Sequence, residues 1–308
     1  MLVDFPNYSR ANPWQIKTIQ TSAPMDVHIT NKLQEGDYFA LHISWEDILL
    51  KGCDTSEKAD TIITKFDEFL KKQYVKSKII WTVHNKTSHT CKLKEHEKKL
   101  RNVIMEYASI IILMSEKHSF IIPEAHQSKI VILPHYIEKN RFQNIIKNKT
   151  PTFFRYGRNR GRKDNQLYLE IINNSKIKKF ISDPNIDYEI DTLETVLTKR
   201  RFSFIEADIY SMLSNFSTYY QEPQFNSGVL NFMIGSGLAI LHDYDSVRYM
   251  DLPKFFDRYC FEIESLKSGN INEIDFHIDL HDSDLRDYIS KRSPNIISNM
   301  FWKYLLDL

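Results

Sequence analysis

The sequence predicts an α/β protein built as two parallel-sheet domains. Short, β-branched apolar runs alternate with amphipathic stretches nearly throughout the chain. A polar segment that ends in proline, Glu138–Pro151 (EKNRFQNIIKNKTP), breaks this alternation near the middle. The chain has 308 residues, more than one ordinary core of about 150 residues would use.

In the first half, Tyr38–Ser44 (YFALHIS), Lys78–Val83 (KIIWTV), Ser109–Met114 (SIIILM) and Lys129–Leu133 (KIVIL) read as buried strands that follow a first strand at the N-terminus. Ile62, Ile63, Phe66, Phe69 and Leu70 recur at helical spacing between two of them, with lysines and acids on the opposite face. Leu93, Leu100, Val103, Ile104 and Tyr107 make a second apolar stripe. Strands separated by helices imply βαβ units and hence a parallel sheet. In the second half, Thr152–Tyr156, Lys178–Ile181, Phe202–Ile205, Ser217–Tyr220 and Leu238–Leu241 read as strands, and Lys163–Asn173, Glu206–Leu213 and Ser227–Ile234 as helices. Asn295–Leu308 (NIISNMFWKYLLDL) is an apolar amphipathic helix, suited to packing back across the first domain or to capping its own. The expected division is 1–137, a linker at 138–151, 152–292, and a final helix at 293–308.

Composition excludes several classes. With 42% hydrophobic and 26% charged residues the chain can fill two cores and is not a disordered segment. Forty-one basic against 40 acidic residues argue against nucleic-acid binding through bulk charge. Cys53, Cys91 and Cys260 are scattered and odd in number, which suits reduced thiols in the cytoplasm. The start, MLVDFPNYSRANPW, meets polar residues at once, so neither a signal peptide nor a membrane span is expected. His84, His89, Cys91 and His96 lie close in sequence but without regular ligand spacing, so no metal site is expected.

Glycine is scarce, and five of the eight fall in two segments of the second half. In FFRYGRNRGRKDNQLYLE (Phe153–Glu170), a strand runs into a glycine turn and then Arg158, Arg160, Arg162 and Lys163 before a helix. Cations beside a helix start suit a diphosphate, and a solvated basic loop is the plainer reading. In QEPQFNSGVLNFMIGSGLAIL (Gln221–Leu241), Asn226 or Ser227 can cap a helix whose free amides, with close approach allowed at Gly228, make an anion site. Alone, this is an ordinary capped helix. Both segments follow the carboxyl ends of expected parallel strands, where open α/β sheets bind ligands.

These segments resemble those of bacterial GT-B glycosyltransferases. FRYGRNRGRK is similar to their FGRIRPYKG segment, and FNSGVLNFMIGSGLAIL to their NSGxLxLALSxGxPVI segment. NPWQ (Asn12–Gln15), LHISWED (Leu41–Asp47), WTVHN (Trp81–Asn85) with His89, and LPHY (Leu133–Tyr136) resemble NPYQ, LHxHWPE, TVHNxxPH and IPHG in the same order. The nearest likeness is to exopolysaccharide and lipid-linked oligosaccharide enzymes, β-mannosyltransferases among them. The resemblance implies two Rossmann-like domains around a central cleft, and transfer of a hexose from a nucleotide diphosphate sugar, with GDP-mannose one candidate. The acceptor implied is a glycan or lipid-linked glycan of surface polysaccharide biosynthesis.

Carried over by position, Arg158, Arg160 and Lys163 bind the donor diphosphate with Asn226, Ser227 and Gly228. Related retaining enzymes carry two glutamates around the second segment. Here the later position is Asn231, and the earlier is Pro223 with Glu222 one residue off. This departure favours inversion, which needs a general base. Glu46 and Asp47 follow one strand and His84 another, all expected to face the cleft, and a turn or structural role is the plainer reading for each. Arg10 and Trp14 follow the first strand, where this fold receives its acceptor, and Trp14 suits a core position equally well. No Asp-x-Asp pair stands at a sugar position, Asp243-Tyr-Asp245 being the nearest, so no cofactor and no obligatory metal are expected.

The other readings are a non-catalytic sugar- or nucleotide-binding protein on the same scaffold, and a two-domain sugar-nucleotide epimerase. A dinucleotide oxidoreductase is disfavoured because no G-x-G-x-x-G follows the first strand. Lys71, Lys72, Lys76, Lys78, Lys92, Lys94, Lys98, Lys99 and Arg101 give the first domain basic faces. These suit either plain solvation or peripheral contact with anionic lipid at the inner face of the cell membrane.

Overall fold

Parallel strands feeding helices account for both sheets. The computed structural model describes residues 1–5, 13–33, 35–87, 91–138, 152–155, 178–181, 209–212, 231, 234–235, 239–242, 252–262 and 281–307. The chain divides into two compact units, Met1–Pro134 with Ile297–Leu308, and His135–Ile296.

Among the described residues the first unit holds six parallel strands: β1 (Leu2–Phe5), β2 (Ile29–Thr30), β3 (Ala40–Ile43), β4 (Lys78–Thr82), β5 (Ile110–Leu113) and β6 (Ile130–Ile132). Their order is β2-β1-β3-β4-β5-β6. The chain thus winds outward from β1 to β2, then reverses through β3 to β6, and the winding switches between β1 and β3. Every residue of β3 and of β5 is buried, as both faces of a parallel sheet require.

Helix α1 (Pro13–Gln15) runs into a wide turn, Ile16–Gln20, that buries Thr18 and Ile19. Helix α2 (Ser56–Tyr74) is capped by Thr55, whose hydroxyl accepts from the Lys58 amide at 3.3 Å. It buries Ala59, Ile63, Phe66 and Leu70, one face at helical spacing. Helix α3 (Lys94–Tyr107) buries Leu100, Ile104 and Met105 into the same core as Leu41, Ile43, Ile79 and Trp81. Each fully buried aliphatic side chain here contributes about 1.5–3 kcal/mol.

The second unit holds β7 (Thr152–Arg155), β8 (Lys178–Ile181), β9 (Ile209–Met212), β10 (Ala239–His242) and β11 (Cys260–Glu262), all parallel, in the order β11-β10-β9-β7-β8. Its winding switches between β7 and β9. Ile209–Met212 corrects one expectation, because the stretch Glu206–Leu213 reads as a helix in sequence. Apolar residues at short spacing serve either state, and pairing with β7 on one side and β10 on the other decides for strand. The expected strands Phe202–Ile205 and Ser217–Tyr220 and the helix Lys163–Asn173 lie outside the described residues. Helix α4 (Ser283–Lys291) is capped by Asp282, which accepts from the amides of Asp284 and Leu285.

Helix α5 (Pro294–Leu306) supplies the first unit from Ile297 onward. Trp302 Nε1 donates to the Ile19 carbonyl at 2.8 Å, the Ser298 hydroxyl accepts from the Ser22 amide at 2.9 Å, and the Tyr304 hydroxyl donates to the Ile132 carbonyl at 3.1 Å. No helix among the described residues is long and apolar enough to cross a membrane.

Candidate active site

The switch between β1 and β3 is where a doubly wound sheet opens a crevice at its carboxyl edge. Polar residues there interrupt otherwise apolar strands. Asp4 and His42 are register partners on β1 and β3, which places their side chains on one face. His42 Nδ1 lies 2.8 Å from Asp4 Oδ1, and Nε2 lies 2.8 Å from the Thr82 hydroxyl. A carboxylate oxygen only accepts, so Nδ1 carries a proton and donates it to Asp4. Asp4 also accepts from Ser44 Oγ at 3.0 Å and from Gln15 Nε2 at 3.1 Å. A buried carboxylate is tolerated when its lone pairs are filled in this way. From α5, the Phe301 ring meets the His42 ring edge-on at 5.3 Å.

Past the strand ends stands an aromatic cluster. His84, beyond the end of β4, lies with its ring parallel to Trp45, centroids 3.9 Å apart and planes 6° apart. Trp14 meets the same imidazole edge-on at 4.6 Å. Gln15 bonds Asp4 and stands next to Trp14, so the buried network also fixes this wall of the cluster. The two aromatic residues and His84 come from three separate segments, all brought to one sheet edge.

Glu46 departs from its expected place. In sequence it is expected after a strand end, facing the cleft. In the structure it begins a 3₁₀ turn, Glu46–Leu50, and is only 4% exposed. Its Oε1 lies 2.7 Å from Arg101 Nη2, and its Oε2 accepts from Trp81 Nε1 at 3.2 Å. Burial pushes the carboxyl above its ordinary range, a shift opposed by Arg101 and enhanced by Asp47. A base needs an oxygen free to reach the acceptor, and both oxygens here are engaged. Asp47 beside it is half-buried.

Arg101 likewise departs from the basic surface face. Its side chain is 13% exposed and reaches Glu46, Glu97 Oε1 at 3.2 Å, the Asn85 carbonyl at 3.0 Å and the Lys86 carbonyl. Of the other lysines in that face, Lys72 pairs with Glu35, Lys94 with Glu97 and Lys99 with Asp60. Trp14, one of the two expected acceptor contacts, is buried, while Arg10 lies outside the described residues. Among the described residues no group of three or more His, Cys, Asp or Glu could hold a metal ion.

In the second unit, β7 stands at the winding switch, and the sequence leaves it at Arg155 to run directly into Arg158, Arg160 and Lys163. These three, with Asn226, Ser227 and Gly228, lie outside the described residues. Asn231 is helical and buried. Gly235 is helical too, and a Cβ placed on it would come within 2.1 Å of the Glu138 carbonyl oxygen. Only glycine allows so close a backbone approach. His135 Nδ1 donates to the Tyr136 carbonyl at 2.8 Å. Burial holds its imidazole down at about 4 despite that hydrogen bond, and Arg292 adds to the effect.

Asp4, Gln15, His42, Ser44, Thr82 and Arg101 were not singled out as site residues by sequence. A signal existed for two of them: His42 and Ser44 alternate as polar positions at the end of a strand whose both faces are buried, where an unpaired polar group is costly.

No protein-family model matches the chain, and no curated protein matches it in sequence. Several solved structures are similar to the chain. Anabaena HepE in complex with UDP-glucose is similar over 88% of this chain and 79% of its own, at 9% identity and a TM-score of 0.51. The same protein in complex with UDP is similar over 82% of each chain, at 9% identity and a TM-score of 0.49. An α-glucosyltransferase in complex with UDP-glucose and DNA containing an abasic site covers 87% of this chain and 79% of its own, at 11% identity and a TM-score of 0.43. The chain is thus similar in fold to HepE.

Proposed function

We propose that this chain is a glycosyltransferase that moves a hexose from a nucleotide diphosphate sugar to a glycan or lipid-linked glycan acceptor. One observation carries the reading: in both sheets the residues singled out by sequence follow strands at or beside the winding switch. His84 follows β4, Glu46 and Asp47 follow β3, and the Arg158–Lys163 segment follows β7. The likeness in fold to HepE, whose structure holds UDP-glucose, supports a nucleotide-sugar donor and makes a uridine donor the first to test. GDP-mannose, implied by the sequence resemblance, is the second.

In this reading Arg158, Arg160 and Lys163 take the diphosphate, helped by Asn226 and the amides of Ser227 and Gly228, and Asn231 contacts a donor hydroxyl. His84 is the base. The acceptor oxygen attacks the anomeric carbon, the bond to the diphosphate breaks, the acceptor proton passes to His84, and the configuration inverts. Asp47 is the other candidate at the same edge. Trp14 contributes as the wall that holds His84, and Arg10 as an acceptor contact.

Peripheral lipid contact belongs to the same reading. Val75, 78% exposed, and Tyr74 project at the end of α2 among Lys71, Lys72 and Lys76. Co-sedimentation with phosphatidylserine vesicles, lost in Val75→Asp, supports this contact, and equal sedimentation of both proteins rejects it.

The test of the donor site is thermal stabilisation by UDP, GDP and their sugars. A ligand at 100 times its dissociation constant adds about 2.7 kcal/mol. A shift with one base, lost in Arg158→Ala and Lys163→Ala, supports the assignment. No shift with any nucleotide rejects it.

A further inference from the structure

We propose that Arg101 is the positioning residue of the first unit's site: its guanidinium ties the loop that carries His84 to the turn that carries Trp45. The inference rests on the reading of His84 as the base and extends it to what holds that base in place.

Arg101 stands on α3, four residues after Glu97, which anchors it within its own helix. Its other acceptors lie elsewhere. The Asn85 and Lys86 carbonyls belong to the two residues immediately after His84, and Glu46 is the residue immediately after Trp45. Glu46 is held in turn by Trp81 on β4, whose ring lies 6.0 Å from the guanidinium. One cation, its side chain 13% exposed, therefore grips both backbone segments beside the stacked pair. The stack itself is tight, at 3.9 Å and 6°, so a small shift of either segment would open it.

The chemistry calls for arginine. A guanidinium presents several donors in a rigid plane and can serve two carbonyls and two carboxylates at once. An ammonium at this position keeps the charge but not the span. Arg101 acts through the backbone of residues 85–86 and through Glu46.

The test uses tryptophan fluorescence at neutral pH on the full chain, which contains four tryptophans. An imidazole held 3.9 Å from an indole face perturbs its emission, so removing it by His84→Gln changes the emission by a step, measured in each background as the difference from its own His84→Gln counterpart. The step falls most, among tryptophan variants, in Trp45→Phe, and a wild type that shows no step overturns the proposal. In Arg101→Lys, with a cooperative melt retained, the step falls at least about two-fold and kcat falls roughly 10- to 100-fold with donor KM nearly unchanged. A folded Arg101→Lys with an unaltered step and unaltered kcat overturns the proposal.

If Arg101→Lys does not fold, Glu97→Gln loosens the anchor without touching either segment. A reduced step in it supports the proposal, and an unchanged step overturns it. The fluorescence step needs no substrate. An Arg101-dependent step in a protein that transfers no sugar leaves the positioning role standing and the proposed reaction refuted. Sugar transfer with a step indifferent to Arg101 does the reverse.

Discussion

Replacing Glu46 with alanine separates a buried anchor from a catalytic base. The substitution removes the acceptor 2.7 Å from Arg101 and the acceptor 3.2 Å from Trp81 Nε1. Breaking a buried ion pair by removing one partner costs about 3–5 kcal/mol. Glu97 and two carbonyls still hold Arg101, which lowers that figure, while an orphaned indole N–H adds about 1–3 kcal/mol. The balance is a loss of about 3 kcal/mol, or roughly 6–12 °C in melting temperature for a unit of this size. Glu46→Gln keeps an acceptor for Trp81 and loses only the ionic part, about half as much. Asp47→Ala, at a half-buried neighbour, stays within about 1 kcal/mol of wild type. Thermal melts followed by circular dichroism at neutral pH rank the three variants. Glu46→Ala melting with wild type while losing all transfer would refute the reasoning and return Glu46 to the role of base.

Three other outcomes follow from the same geometry. His135 is held at about 4 in the fold against an ordinary value near 6.5, so its burial stabilises fully above the ordinary value and that stability is lost as pH falls through the folded one. The loss between pH 7 and pH 5 is about 2 kcal/mol, and His135→Gln should flatten that part of a denaturation series taken across pH. Gly235→Ala forces a methyl to within 2.1 Å of the Glu138 carbonyl, and a cost of at least about 1–3 kcal/mol should appear in urea midpoints. Deleting Ile297–Leu308 removes the buried Ile297, Phe301, Trp302 and Leu305, about 6–12 kcal/mol as an upper bound. That is comparable with a domain's whole stability, so the truncated chain should show no cooperative melt of the first unit.

The strands were legible where burial on both faces leaves a continuous apolar run. Ile110–Leu113 and Ala40–Ile43 therefore stand inside the stretches expected from sequence. Ile209–Met212 was not legible, because its neighbours place apolar residues at helical spacing and only pairing on both sides selects the strand. β2 has two residues, too few to show a period. In the site, His84 was legible from its position after an apolar run. The Glu46–Arg101 pair was not: both residues carry the signature of exposed positions, and only the packing of α3 against the turn brings them together. Trp14 could be read as a sugar platform or as core, and the edge-on contact with His84 shows where it packs.

The most direct test of the central claim is release of nucleoside diphosphate from UDP-glucose and GDP-mannose by the purified protein, with glycan acceptors added. The account predicts release with one donor, stimulated by acceptor, retained in Asp47→Ala and reduced at least about 100-fold in His84→Gln. Release unaffected by His84→Gln would contradict the assignment of the base. No release from any nucleotide sugar would contradict the glycosyltransferase reading itself.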